Sequence, residues 1–288
     1  MEYRTLNTGA KIPMAVFGVY QITDRETCIQ AVEDAVRAGY RAIDTAASYG
    51  NEEAVGEAVR RLIQDGVVKR EDLFIISKMW VQDMKNYDMA SKAIDASLKN
   101  LGLDYLDLYL EHQAMGNYFE AYRAMEDAYK AGRLKAIGVS NFFPAILANF
   151  CENVEIIPAV NQVELHPWFA QEDALKVMDR YGVVPQAWAS LAEGKHGIFT
   201  DPDLTAIGKK YGKSAAQVAL RWNVQRGVVV NAKSTKPERI RQNLDIFDFQ
   251  LTDEEMKKIS SKTLDHSEII NHFDPELVIF LNNRKIHN

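Results

Sequence analysis

The chain has 288 residues, of which 47% are hydrophobic and 26% are charged, and its formal net charge is -6. It is long enough to bury a large core and has no Pro- or Ser-rich linker, so we interpret residues 1–288 as a single domain. An acidic chain without an apolar segment of roughly 20 residues argues against both nucleic acid and membrane as partners.

The N-terminus and the cysteines predict a soluble, cytoplasmic protein. No apolar stretch of signal-peptide length follows Met1. Cys28 and Cys151 lie far apart and show no CxxC spacing, so we interpret both as packing residues of a reduced protein. We further expect a monomer.

The first predicted elements are two short strands, residues 3–6 and 11–13, which flank a turn at Gly9 as an N-terminal β-hairpin. Beyond them, short apolar runs alternate with helical patterns, a rhythm typical of βα units around a parallel sheet. The predicted strands are Val16–Gly18, Ala42–Asp44, Leu73–Lys78, Leu106–Leu110, Leu134–Ser140, Ala159–Glu164, Val184–Ala189 and Val228–Val230. The predicted helices are Asp24–Ala38, Glu52–Asp65, Ala90–Leu101, Phe119–Ala131, Ala145–Asn149, Glu172–Tyr181, Ser214–Arg226 and Pro237–Leu244.

Two capping boxes mark predicted helix starts. Thr23 with Glu26 precedes the first helix, and Thr252 with Glu255 opens a late one. A tail follows from about Leu264. Eight βα units close naturally into a barrel, so we predict an α/β protein, a (β/α)8 TIM barrel with the hairpin at its N-terminus and the tail over its mouth.

Four polar residues lie at predicted strand ends or in the loop that follows one, where the catalytic groups of such barrels gather. Asp44, Lys78 and His112 end the second, third and fourth strands, and Tyr49 lies in the loop after the second. Taken singly, each has an ordinary structural explanation, such as a solvated lysine or a capping aspartate. Because adjacent strands bring all four to one rim, their joint placement favours catalysis.

These residue types suit a proton donor. The ordinary pKa of tyrosine, near 10, is too high for ready donation at neutral pH, and a nearby ammonium lowers it. We expect Lys78 to supply that charge, Asp44 to hold Lys78, and His112 to orient a substrate carbonyl. The sequence therefore predicts Tyr49 as the general acid.

The segment around Tyr49 resembles the signature of the aldo-keto reductases. Residues 44–52 read DTAASYGNE, and further blocks follow in family order: SKMW at 77–80, LYLEH at 108–112, GVSNF at 138–142, NQVELHP at 161–167 and KST at 233–235. The resemblance covers roughly residues 3–280. Within the family, the sequence is most similar in character to the bacterial 2,5-diketogluconate and methylglyoxal reductases. It implies reduction of small-molecule aldehydes or ketones by NADPH, with the four strand-end residues in the roles inferred above.

The resemblance also implies a cofactor site. No GxGxxG follows the first strand, so a Rossmann mode of binding is not expected. Ser140, Asn141 and Gln162 would bind the nicotinamide carboxamide, Trp188 would stack on the ring, and the loop 191–197 would wrap the pyrophosphate. The full implied set is Ser140, Asn141, Gln162, Trp188, Ala189, Leu191, Gly194, Lys233, Ser234, Thr235, Arg239, Gln242 and Asn243, of which Lys233, Ser234 and Arg239 would bind the 2′-phosphate and Gln242 and Asn243 the adenine. Without the resemblance, Trp188 is a core aromatic, 191–197 a flexible loop, and 233–239 a solvated basic turn.

Tyr20, Trp80, His112 and Gln113, with the tail around residues 270–273, are the expected substrate pocket. Three departures from the family pattern stand out in the sequence. Asn231-Ala232 replaces an Ile-Pro pair, Ser190 replaces a proline, and Glu111 occupies a usually apolar position, where it needs a partner if it faces the helices.

Two other functions fit a barrel. A metal-dependent hydrolase needs clustered histidines and carboxylates, but the six histidines are scattered and no HxH pair ends the first strand, so no metal is expected. A non-enzymatic, NADPH-binding regulatory or structural protein on the same fold is the second alternative. Oxidation of NADPH with a reactive aldehyde distinguishes it from a reductase.

Overall fold

Eight parallel strands close into a barrel in the computed structural model, which describes residues 1–287. Before them, strands β1 (Tyr3–Thr5) and β2 (Lys11–Pro13) form an antiparallel hairpin. The barrel strands, in ring order, are β3 (Ala15–Gly18), β4 (Ala42–Asp44), β5 (Phe74–Met79), β6 (Leu108–Glu111), β7 (Ile137–Ser140), β8 (Val160–Glu164), β9 (Val184–Trp188) and β10 (Val229–Ala232), and β10 pairs with β3. The predicted (β/α)8 barrel with an N-terminal hairpin is confirmed.

Helices surround the barrel and extend into the tail. They are α1 (Arg25–Ala38), α2 (Glu52–Gln64), α3 (Tyr87–Leu101), α4 (Tyr118–Lys130), α5 (Pro144–Cys151), α6 (Glu172–Tyr181), α7 (Pro202–Tyr211), α8 (Ala215–Gln225), α9 (Pro237–Leu244), α10 (Asp253–Ser260) and α11 (Pro275–Asn283). The main core lies between the strands and this helical layer, and Cys28 and Cys151 are free and buried in it, as predicted. In the described part of the chain, no helix has both the length and the apolar character to cross a bilayer.

Two helices and one cap differ from the sequence prediction. The prediction omitted α7, a second helix between β9 and β10, although Asp201 caps it and Pro202 occupies its first position. It also omitted α11. The capping box at Thr23 and Glu26 is wrong because Asp24 is the N-cap of α1 and accepts a hydrogen bond from the Thr27 amide, 2.8 Å away. The box of Thr252 with Glu255 is confirmed.

The tail crosses the barrel mouth as predicted. Ile270, Leu277, Val278 and Ile286 pack on a small apolar cluster of Trp80, Val81, Met115 and Leu281 at the rim. Further back, the Ser267 hydroxyl donates to Glu164 Oε2 at 2.5 Å, and Glu164 Oε1 lies 3.0 Å from His166 Nε2. The tail is therefore held both by apolar packing and by a buried carboxylate of strand β8.

Glu111 faces the helical layer without a partner. Strand alternation points Lys78 and its register partner Leu110 into the barrel, so Glu111, the next residue of β6, points outward. Its side chain is fully buried, and neither carboxyl oxygen has a hydrogen-bond partner within residues 1–287. Burial, with a contribution from the Glu126 charge, raises the pKa of Glu111 well above its usual range. Burial therefore favours the neutral carboxylic acid form of Glu111 in the folded protein.

Glu111→Met should raise the thermal stability, and the gain should grow with pH. Above pH 4.5 the unfolded chain ionises this carboxyl while the folded chain keeps it protonated, so the wild type loses about 1.4 kcal/mol for each pH unit up to the folded pKa. Methionine removes that loss at similar volume. We expect a melting temperature at pH 8 that is higher by roughly 3 °C or more, measured by circular dichroism from pH 5 to 8.5.

Glu111→Gln is the matched control, because it keeps the shape and polarity but not the ionisable proton. The melting temperature of Glu111→Gln, relative to that of the wild type, should increase only as the pH rises. A difference between Glu111→Gln and wild type that stays constant across this range would contradict the neutral-acid assignment.

Candidate active site

A cleft of about 610 Å³ opens at the carboxyl ends of the barrel strands. The predicted residues that line it are Tyr20, Asp44, Tyr49, Trp80, His112, Gln113, Ser140, Asn141, Gln162, Trp188, Ala189, Leu191 and Lys233. Lys78 lies buried beneath its floor. The other predicted residues lie beyond the lining: Gly194 on the loop after β9, Ser234 and Thr235 in the turn after β10, and Arg239, Gln242 and Asn243 on α9.

Lys78 is the centre of the polar network under the cleft. Its Nζ donates to Asp44 Oδ1 at 2.5 Å, to the Thr45 carbonyl at 2.9 Å and to the Tyr49 hydroxyl at 3.3 Å. The second oxygen of Asp44 accepts from Gln162 Nε2 at 2.8 Å. Burial lowers the pKa of Lys78, whereas the charge of Asp44 opposes that shift and favours the ammonium.

The pKa of Tyr49 moves opposite to the direction predicted from the sequence. Burial at the base of the cleft raises the pKa well above its ordinary value, and the negative charge of Asp44 adds to the increase. The expected lowering of the Tyr49 pKa by Lys78 is not seen in this structure, because burial disfavours the phenolate and the adjacent carboxylate of Asp44 acts in the same direction. Tyr49 is therefore a protonated phenol at neutral pH, the form that a proton donor requires.

His112 faces the same space as Tyr49, with ring centroids 5.6 Å apart. Burial lowers the pKa of His112 well below its usual range, and the positive charges of Lys78 and Arg284 reinforce the shift. Its Nδ1 lies 3.2 Å from the Ser48 hydroxyl. A neutral imidazole that accepts from Ser48 at Nδ1 carries its proton on Nε2, where it can donate to a carbonyl oxygen.

Asn51 fixes the loop that carries Tyr49. Its Nδ2 donates to the carbonyls of Val19 and Ile22, at 2.9 Å and 3.2 Å, and its Oδ1 accepts from the Thr45 hydroxyl at 2.7 Å. The side chain is 5% exposed. Because one buried amide ties both ends of the Tyr49 loop to the neighbouring strand end, the phenol is held in place over Lys78.

A second network joins strands β7, β8 and β9. The Ser140 hydroxyl donates to the Gln162 carbonyl at 2.8 Å, and Asn141 Nδ2 donates to the His112 carbonyl at 3.0 Å and to Ser140 Oγ at 3.1 Å. Trp188 Nε1 donates to Asn141 Oδ1 at 2.9 Å. The half-buried indole of Trp188 is thus held in one orientation by its hydrogen bond to Asn141.

Ser190 and Asn231, the two departures from the family pattern beside the predicted cofactor site, are hydrogen-bonded to each other. The Ser190 hydroxyl donates to the Ala187 carbonyl and accepts from the Asn231 amide, each at 3.1 Å. A proline at 190 would lack this hydroxyl. The Asn231 side chain turns into the cleft, and its Oδ1 is buried with no partner within residues 1–287. An acceptor is therefore left available to a bound molecule, next to Gly18, where any Cβ would lie 2.7 Å from this oxygen.

Free cations follow strand β10. Lys233, Lys236 and Arg239 are exposed, and none forms a salt bridge with a residue in the described range 1–287. Lys236 is the N-cap of α9 and Pro237 its first residue, so the positive end of the helix adds to these charges. Ser234 Oγ accepts from the Lys236 amide at 3.0 Å and shapes the turn. The arrangement suits a phosphate.

The loop Ala192–Gly197 lies between the barrel and the tail. Ala192, Glu193 and His196 adopt left-handed conformations, with φ of 50°, 52° and 57°, which non-glycine residues rarely occupy. Lys195 Nζ donates to the Glu268 carbonyl at 2.5 Å, and His196 Nε2 lies 3.2 Å from the Glu268 carboxylate. The loop is therefore held by contacts to the tail rather than by its own backbone preference.

Aromatic and tail residues complete the opposite side of the cleft. Tyr20 lies 4.9 Å from Tyr49 and Trp80 lies 5.3 Å from His112, measured between ring centroids. Gln113 Oε1 is 3.0 Å from His272 Nε2, and burial lowers the pKa of His272 to about 4. The sequence prediction included the tail around residues 270–273, to which His272 belongs, but it omitted Ser48, Leu277, Leu281 and Arg284, which also line this cleft. Ser48 was within the DTAASYG motif, but the tail residues follow no strand and had no periodic signal.

Metal ligands are not gathered in this site. Within residues 1–287, no three His, Cys, Asp or Glu side chains are grouped so that they could hold a metal ion.

Comparisons with known proteins identify relatives over most of the chain. The model of the Aldo/keto reductase family matches residues 14–263. An uncharacterized oxidoreductase of Bacillus subtilis, YtbE, is 44% identical over 258 residues, which cover 89% of this chain and 91% of that protein. A glyoxal reductase of Bacillus subtilis is 42% identical over 261 residues, or 90% of this chain and 92% of that protein.

Solved structures are similar over the same extent. The Bombyx mori aldo-keto reductase in complex with NADP superposes with a TM-score of 0.89 at 36% identity, covering 94% of this chain and 95% of that one. An aldo/keto reductase from Brucella melitensis has a TM-score of 0.84 at 40% identity, covering 91% and 99% of the two chains. The family resemblance carried by the sequence motifs is confirmed.

Asn51→Ala should destabilise the protein by about 2–3 kcal/mol, because it leaves two carbonyls and a hydroxyl buried without their partner. Urea denaturation would measure this change. Asn153→Ala is the matched control, since Asn153 is exposed and its amide also donates to a backbone carbonyl, that of Asn149. The control should change stability by less than about 0.5 kcal/mol. Equal losses in the two variants would contradict the anchoring role of Asn51.

Proposed function

This chain belongs to the aldo/keto reductase family of oxidoreductases, and on that premise we propose that it reduces aldehyde or ketone carbonyls to alcohols with NADPH, Tyr49 donating the proton. The observation that carries the proposal is the contact of Tyr49 with Lys78 and Asp44 at the base of a cleft that His112 also faces. No other cluster in the described residues joins a protonated phenol, a buried ammonium and a neutral imidazole.

Several features of the chain fit a nicotinamide dinucleotide phosphate. Trp188 provides a fixed aromatic plate, and Asn231 Oδ1 provides a buried acceptor without a partner in the described chain. Lys233 and Arg239 offer unpaired positive charge after β10, where barrels often bind phosphate. The Bombyx mori relative was solved in complex with NADP. We infer that Trp188 stacks on the nicotinamide and that the basic turn binds the 2′-phosphate.

We infer the roles of the remaining cofactor residues from their positions around the cleft. Gln162 Nε2 is engaged by Asp44, which leaves its Oε1 to accept from the carboxamide, beside Ser140 and Asn141. Ala189, Leu191 and Gly194 line or follow the end of β9, where the loop 192–197 would cover the pyrophosphate. Thr235, Gln242 and Asn243 lie on the turn and helix that would enclose the adenosine end. When bound, the nicotinamide supplies the hydride.

The chain's own residues then handle the proton and the carbonyl. His112 Nε2–H and the Tyr49 hydroxyl donate to the carbonyl oxygen and hold its carbon toward the cofactor. As charge develops on that oxygen, Tyr49 transfers its proton. Lys78, 3.3 Å from the phenol oxygen, stabilises the phenolate that remains, and Asp44 keeps Lys78 charged. Trp80, Tyr20 and Gln113 exclude water from this side.

Tyr49→Phe should abolish most turnover while NADPH still binds, because the phenol supplies a proton and does not hold the cofactor. Loss of a general acid typically costs about 10²–10⁴-fold in rate. Lys78→Met should lower kcat similarly, since the phenolate loses its counter-charge. Steady-state oxidation of NADPH with a reactive aldehyde, together with a fluorescence titration of NADPH, measures both effects.

Near wild-type kcat in Tyr49→Phe would overturn the proton-donor assignment. The same assay tests the non-enzymatic alternative. A wild-type protein that binds NADPH but reduces no member of a panel of reactive aldehydes would be a regulatory or structural protein on this fold.

Arg239→Ala should weaken NADPH binding by about tenfold and leave NADH binding unchanged. NADPH differs from NADH by one phosphate, and the planar guanidinium can bind two of its oxygens at once. Because Arg239 is exposed, solvent screening limits the effect. Fluorescence titrations of both cofactors at fixed ionic strength measure it.

Arg241→Ala is the control, since it removes the same charge from the same exposed helix α9. It should leave the ratio of NADPH to NADH affinity unchanged. An equal loss for both cofactors in Arg239→Ala would show that Arg239 does not recognise the 2′-phosphate.

A further inference from the structure

Arg284 is a cation without a counter-charge on the substrate side of the cleft. It follows α11 in the tail and lines the cleft together with His112, Trp80 and Leu281. It forms no salt bridge with any carboxylate in residues 1–287, although the chain as a whole is acidic. Because Arg284 is exposed and lines the cleft, its guanidinium is available to an incoming ligand.

Two contacts with Trp80 place this arginine. Trp80 Nε1 donates to the Arg284 carbonyl at 2.8 Å, and the guanidinium carbon lies 5.5 Å from the centroid of the Trp80 ring. Trp80 in turn packs edge-on against His112, with centroids 5.3 Å apart. The Trp80 ring thus contacts both the guanidinium of Arg284 and the imidazole of His112. The positive charge of Arg284 is close enough to help lower the pKa of His112, after burial and Lys78.

The charges around the cleft are unequal on its two sides. The lining carboxylates are Asp44, which is engaged by Lys78, and Glu193, which lies on the loop after β9. The nearby His272 is neutral at pH 7, because burial lowers its pKa to about 4. The substrate side therefore presents Arg284 as a single positive charge, and a guanidinium pairs with a carboxylate through two parallel hydrogen bonds.

We propose that Arg284 binds the carboxylate of the substrate, and that this enzyme prefers aldehydes whose carboxylate is several bonds from the carbonyl. The inference rests on the proposed reductase function. Because Trp80 lies between His112 and Arg284, a carbonyl at His112 leaves room for a spacer before the carboxylate. Arg284 lies in the tail, beyond residues 14–263 that the family model matches.

The test compares 4-carboxybenzaldehyde with its neutral methyl ester, methyl 4-formylbenzoate, at saturating NADPH and low ionic strength. In Arg284→Met, the ratio of kcat/KM for the acid to that for the ester should fall about tenfold, mainly through KM. Arg284→Lys should retain part of the ratio. Added salt should lower the wild-type ratio, because the arginine is exposed.

Lys285→Met is the matched control, since it removes the same charge from the next, exposed residue of the tail, which does not line the cleft. Its ratio should equal that of the wild type. If the ester is reduced but Arg284→Met keeps the wild-type ratio, the carboxylate site is overturned and the reductase function stands. If the wild type reduces neither compound, both proposals fail.

Discussion

The ion pair of Lys78 with Asp44 is the constraint on which the site depends. Both side chains are almost completely buried, and an ammonium and a carboxylate removed from water are costly unless each of their polar atoms is satisfied. Here the backbone of Thr45, the amide of Gln162 and the phenol of Tyr49 satisfy them. The ion pair itself joins strands β4 and β5, and its partners come from the loop after β4 and from strand β8, which the closed barrel brings to the same end.

The same burial decides the charge states of the two groups that face a substrate. Desolvation disfavours the phenolate of Tyr49 and the imidazolium of His112, so both side chains are neutral hydrogen-bond donors at neutral pH. A lysine alone would lower the pKa of Tyr49, but the carboxylate of Asp44 opposes it. In the proposed reaction, Lys78 therefore acts less on the resting phenol than on the phenolate that would form when the proton leaves. This state of the site suits reduction of a carbonyl.

The sequence predicts a residue's place in the structure best where the alternation of strands and helices fixes that place directly. Asp44, Lys78 and His112 were predictable because each ends a strand, and strand ends converge in a parallel barrel. Ser48 and Asn51 were harder to assign, since their partners, His112 and Val19, are distant in sequence. Thr23 and Asp24 are both good N-cap residues one position apart, and the helix begins so that Asp24 accepts from the Thr27 amide. The register of the tail over the cleft had no sequence signal, because the tail contributes no strand to the sheet.

The division between barrel and tail also separates the residues of the proposed proton transfer from the residue proposed to select the substrate. The family match covers residues 14–263, which include the proposed proton-transfer groups and the paired barrel strands. The tail is held by side-chain contacts such as that of Ser267 with Glu164 and by the packing of Leu281 on Trp80, which tolerate sequence change better than a barrel strand does. A residue such as Arg284 can therefore be gained or lost without disturbing Tyr49. The positive charge proposed to select the substrate therefore lies on a segment that forms no barrel strand, whereas Lys233, the other cation of the cleft, follows strand β10.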